Sequence, residues 1–119
     1  MSFDRLIKKI IEMKNPSVAG LDPRLEYVPE YITKASFEKY GVTLKAAAEA
    51  ILTFNKALID ELYDVVPAIK PQAAYYEMYG WEGVRVLTET ISYAKSKGMY
   101  VMTDGKRNII QGLLQEYDI

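Results

Sequence analysis

The run Met99-Tyr100-Val101-Met102-Thr103-Asp104-Gly105-Lys106-Arg107 changes character in its middle. Four apolar, β-prone residues give way to an acid, a glycine and two bases. In a parallel α/β sheet, the C-terminal end of a strand is where side chains reach a ligand crevice. Residues two apart on an extended backbone share a face, so Asp104 and Lys106 are expected side by side at such a mouth. Taken alone, the stretch fits an ordinary solvated strand end slightly better. The rest of the chain decides.

Two further runs end the same way. Ser17-Val18-Ala19-Gly20-Leu21-Asp22-Pro23-Arg24 is apolar up to an acid, and Val65-Val66-Pro67-Ala68-Ile69-Lys70-Pro71 is apolar up to a lysine. Neither alternates, which is the pattern of strands covered on both faces. Pro67 fits near a strand beginning. Helical patterns fill the spaces between. Phe3, Leu6, Ile7, Ile10 and Ile11 recur at three- and four-residue steps, with Ser2 as an expected N-cap and Asn15 and Pro16 as the stop. Thr43 is placed to cap a long helix whose stripe is Leu44, Ala47, Ala48, Ile51, Leu52, Asn55, Leu58, Ile59 and Leu62. Asn55 is the polar exception, expected at the stripe's edge or bonded to nearby backbone. Val84, Leu87, Ile91 and Ala94 mark another helix, stopped by Gly98. Residues 25–41 lack a clear period and read as a loop with one helical turn. Residues 72–80, with Tyr75, Tyr76 and Tyr79, read as a loop with a turn whose aromatics pack over the sheet end. Strands and helices in alternation imply an α/β fold with a parallel sheet and right-handed crossovers. Asp22, Lys70 and Asp104 then converge at one end of it.

Composition narrows the chemistry. The 119 residues suit one small domain, with 50% hydrophobic and 26% charged residues and a net charge of −1. That balance carries no footprint for nucleic acid or an anionic membrane. Cysteine and histidine are both absent. This excludes disulfides, thiolate metal sites and Ser-His or Cys-His dyads, leaving acid–base work to Asp, Glu, Lys or Tyr. The N-terminus is amphipathic rather than signal-like and no run is long enough to span a bilayer, so the expectation is a cytoplasmic protein.

Four segments in order resemble orotidine 5′-phosphate decarboxylase of the longer bacterial subfamily. They are Ala19-Gly20-Leu21-Asp22-Pro23-Arg24, Phe54-Asn55-Lys56, Pro67 to Glu77 and Asp104-Gly105-Lys106-Arg107, the last opening the family's D-x-K-x-x-D signature. The resemblance implies a (β/α)8 TIM barrel used as a homo-oligomer, a dimer, of which this chain would supply about three parallel strands with crossover helices. It implies a nucleotide substrate, orotidine 5′-monophosphate, decarboxylated to uridine 5′-monophosphate in pyrimidine biosynthesis with no metal and no cofactor. Asp22 would bond the substrate ribose. Lys70, Asp104 and Lys106 would be three members of a Lys-Asp-Lys-Asp array, with Asp104 near the substrate carboxylate and Lys106 stabilising and protonating the ring carbanion. Preorganised charge is the main source of catalysis in such a site, and alternating signs keep each group ionised.

The chain departs from the pattern after Asn108. The signature's last aspartate falls at Ile109, and Asn108-Ile109-Ile110-Gln111-Gly112-Leu113-Leu114-Gln115 lacks the family's Ser-Thr pair. Residues 1–108 therefore read as the N-terminal part of a barrel and 109–119 as a divergent tail. A closed barrel needs about 250 residues, and its phosphate site comes from the loops after strands 7–8. The expectation is a truncated chain with little or no activity, from a cut gene, a split gene product or a reading-frame error. Codons permitted for Gln111 to Gln115, read from the third base of the first, can spell Gly-Ser-Thr-Ala. Exposed strand edges would favour self-association. Two other readings stay open: a related phosphosugar barrel enzyme such as the magnesium-dependent hexulose-phosphate synthases, or a non-catalytic α/β fragment acting by association.

Overall fold

Three short strands, β1 (Val18–Leu21), β2 (Ala68–Pro71) and β3 (Tyr100–Val101), lie parallel in that order. The computed structural model describes residues 2–22 and 24–102, with side chains from Asp4 onward. Asp104, Lys106 and the boundary at Asn108 lie outside the described residues. The helices are α1 (Ser2–Met13), α2 (Glu30–Tyr40), α3 (Leu44–Leu62), α4 (Ala73–Glu77) and α5 (Gly80–Ser96), with a 3-10 turn at Leu25–Tyr27. This is the α/β arrangement expected from the apolar runs, three parallel strands with crossover helices, and it matches part of a (β/α)8 barrel.

The helix ends follow their chemistry. Thr43 caps α3, its side chain accepting from the amide of Ala46 at 3.1 Å. Gly98, at φ 82°, takes the left-handed turn that closes α5. Lys14 takes φ 54° after α1, and Asn15 then donates from Nδ2 to the carbonyl of Val65 at 2.9 Å. The stop read at Asn15 thus also ties α1 to the approach to β2.

Residues 25–41 are a correction. They hold an 11-residue helix, α2, rather than a loop with one turn. Only Ile32 and Ser36 of this helix are buried, so no apolar stripe exists for a periodicity argument to find. Its cohesion is partly polar: the Ser36 hydroxyl donates to the carbonyl of Ala46 in α3 at 2.6 Å, in a buried bond. The boundary signals were nonetheless present, with Pro29 before the first turn and Gly41 at φ 75° after the last.

The register pairs Gly20 with Lys70, Leu21 with Pro71 and Ile69 with Val101. Alternation along the strands sends Leu21 and Ile69 toward the helices, where they pack with Ile59, Ala94 and Met99. A second cluster joins α3 and α5 through Ile51, Leu52, Val86, Leu87 and Ile91, closed by Tyr76 of α4. Full burial of each such aliphatic contributes about 1.5–3 kcal/mol. The opposite sheet face carries Val18, Gly20 and Lys70, all exposed, beside the buried Ala68, and β1 forms an edge of the described sheet.

Candidate functional site at the strand ends

Asp22 follows the last residue of β1 and is exposed. Gly20, two residues earlier, has Lys70 as its register partner. Two of the four sequence-predicted residues, Asp22 and Lys70, thus stand exposed at the C-terminal ends of adjacent strands, Asp22 just beyond β1 and Lys70 within β2. The other two, Asp104 and Lys106, belong to the undescribed stretch after β3.

The chain turns sharply beyond Asp22. The Arg24 amide donates to the Asp22 carbonyl at 2.9 Å, and the 3-10 turn follows at once. The Arg24 guanidinium stands 5.7 Å from the centre of the Tyr75 ring and 5.9 Å from that of Tyr27. Its contact with Tyr75 is the foremost reason its pKa is pushed upward, with Tyr27 next. The guanidinium is held beside both rings and also lies 3.9 Å from the Glu26 carboxylate. A cavity of about 420 Å³ opens beside β1, with Asp22, Arg24 and Tyr27 on its polar side and Ile51, Phe54 and Leu58 on its apolar side.

Beneath Asp22 runs a buried chain of hydrogen bonds that sequence reasoning missed. Asn55 of α3, 3% exposed, donates from Nδ2 to Thr90 Oγ1 at 3.1 Å and to Tyr76 Oη at 3.0 Å. The Tyr76 hydroxyl donates onward to the carbonyl of Leu21 at 2.9 Å. Asn55 was expected to bond to backbone or sit at the stripe's edge. Instead it lies inside the stripe and bonds to two side-chain hydroxyls, because α4 and α5 deliver those hydroxyls into an otherwise apolar layer. Burial pushes the Tyr76 hydroxyl pKa well up; the Asn55 hydrogen bond opposes this, and the charge of Asp22 adds to it. The signal in the sequence was the lone polar residue on a long apolar stripe, but its partners lie 21 and 35 residues away.

Three parallel strands joined by crossover helices, with Lys70 in β2 and Asp22 just after β1, fit a segment of a β/α barrel. No protein-family model matches the chain. Its sequence is nonetheless homologous to part of the orotidine 5′-phosphate decarboxylases. It is 33% identical over 114 residues to the enzyme of that name from Caldicellulosiruptor saccharolyticus, covering 96% of this chain and 37% of that protein. With its namesake from Petrotoga mobilis it shares 38% over 117 residues, 98% of this chain and 37% of that one. The chain thus spans little more than a third of the length of the curated relatives it matches. A Streptomyces avermitilis crystal structure assigned to orotidine 5′-phosphate decarboxylase superposes with a TM-score of 0.62 at 25% identity, over 86% of this chain and 32% of that one. A Toxoplasma gondii structure with the corresponding assignment gives a TM-score of 0.68 at 23% identity, over 88% of this chain and 31% of that one, a likeness of fold.

Proposed function

We propose that this chain contributes the first three strand ends of an orotidine 5′-monophosphate decarboxylating site, without metal or cofactor, in a cytoplasmic homo-oligomer. Asp22 bonds the substrate ribose. Lys70, Asp104 and Lys106 form an alternating array in which Asp104 faces the departing carboxylate and Lys106 delivers a proton to the ring carbon. Loss of CO₂ leaves an electron pair on that carbon, and a fixed ammonium beside it lowers the barrier without solvent reorganisation. The observation that supports the reading is that Asp22 and Lys70 stand exposed at the ends of adjacent parallel strands, in a chain with these relatives. Titration of the 119-residue chain with 6-substituted uridine monophosphates tests it. Saturable binding lost in Asp22→Ala and Lys70→Ala is expected, alongside little or no turnover of orotidine monophosphate. A folded chain with no binding sinks the reading.

A second reading, a fragment acting by association, draws on β1 as an edge strand with Val18 and Gly20 exposed beside it. Sedimentation of a strictly monomeric species across a wide concentration range would count against it.

A further inference from the structure

The paired register of β1 with β2 ends where Leu21 stands opposite Pro71, one residue before Asp22. The carbonyl of Leu21 accepts from Tyr76 Oη at 2.9 Å. Behind that hydroxyl stand Asn55 and, through Asn55, Thr90. Asn55 spends both N–H groups in this relay, and Tyr76 both accepts and donates. The relay crosses from α5 through α3 and α4 to β1, and all three of its side chains are buried.

A stable core does not call for these groups. Their surroundings are Ile51, Leu52, Val86, Leu87 and Ile91, and apolar residues of like shape are often neutral or stabilising where a buried polar network stands. Such a network narrows the conformations a site can take. This one ends on the peptide that carries Asp22. We infer that Asn55, Tyr76 and Thr90 are positioning residues for Asp22, fixing through the Leu21 carbonyl the direction in which that carboxylate leaves β1. Gly83 supports them from behind: a β-carbon there would stand 1.8 Å from the carbonyl oxygen of Tyr76, so only glycine lets α5 hold α4 this closely.

The functional half of this inference rests on the proposed role of Asp22; the structural half does not. Two measurements on the 119-residue chain separate them. In Tyr76→Phe, amide hydrogen exchange at Arg24, whose N–H bonds to the Asp22 carbonyl, is expected to quicken roughly threefold to tenfold. Exchange at Met102, whose amide bonds to Ile69, should change only as far as global stability does. Thr90→Val is expected to repeat the pattern more weakly and serves if Tyr76→Phe fails to fold, while Thr90→Ser should restore wild-type exchange. Uridine 5′-monophosphate affinity is expected to fall by a similar factor in Tyr76→Phe. In the double variant with Asp22→Asn, the two losses should not add. Unchanged exchange at Arg24 after correction for stability, or fully additive losses, overturns the inference. A wild-type chain that binds no nucleotide removes the role of Asp22 and leaves the exchange result to decide the positioning.

Discussion

Gly83 approaches the carbonyl of Tyr76 so closely that the smallest possible side chain would collide with it, at 1.8 Å. The atom in the way is backbone, so no rotamer change relieves the clash. Gly83→Ala is expected to cost about 1–3 kcal/mol through overpacking, despite alanine's better helix propensity. Urea unfolding measures it. Gly20→Ala is the contrast: a β-carbon there meets nothing within 4 Å, and stability should move by no more than about 0.5 kcal/mol.

Tyr76 gives the fold an alkaline limit. Burial favours its neutral hydroxyl, so its pKa in the folded chain lies above the unfolded value. The associated stability is fully present below the unfolded tyrosine value near ~10 and is lost as pH rises through the higher folded value. Tyr79, raised first by burial, and Tyr93, raised first by its hydrogen bond to Asp60, act in the same direction. Denaturation followed above pH ~10 should show the wild type losing stability more steeply than Tyr76→Phe.

Arg85 faces Glu82 at 3.0 Å and also pairs with Glu89 of its own helix and with Glu49 of α3. Removing it leaves three carboxylates facing one another at the α3–α5 seam. Arg85→Ala is expected to destabilise by about 1 kcal/mol at low ionic strength, and less at high salt, where the remaining charges are screened. Paired unfolding curves at the two salt concentrations check both parts.

Lys70 is exposed despite standing in the central strand. Lys70→Ala should therefore leave the unfolding midpoint nearly unchanged, with a shift within about 0.5 kcal/mol. Loss of nucleotide binding in the same variant would place its importance in recognition rather than in folding.

The parts of the fold that were legible in the sequence are those whose apolar residues repeat. The stripe from Ala47 to Ile59 and the run ending at Lys70 each have a period or a burial pattern that only one element satisfies. Helix α2 was not legible because it packs through Ile32 and a hydroxyl rather than through a stripe. That Asp22 and Lys70 stand at the ends of adjacent strands could be read from the two apolar runs alone. The relay under them could not, since nothing local to Asn55 names Tyr76 or Thr90 as its partners.

Where the pairing of β1 with β2 ends, at Leu21 and Pro71, the Tyr76 hydroxyl takes up the Leu21 carbonyl, and a side chain holds the lip of the sheet. Main-chain pairing is common to every sequence that adopts the sheet, whereas a hydroxyl or an amide can be exchanged one codon at a time. The orientation of Asp22 is in that sense inheritable separately from the barrel wall, and a lineage could retune this corner without rebuilding the strands that carry it.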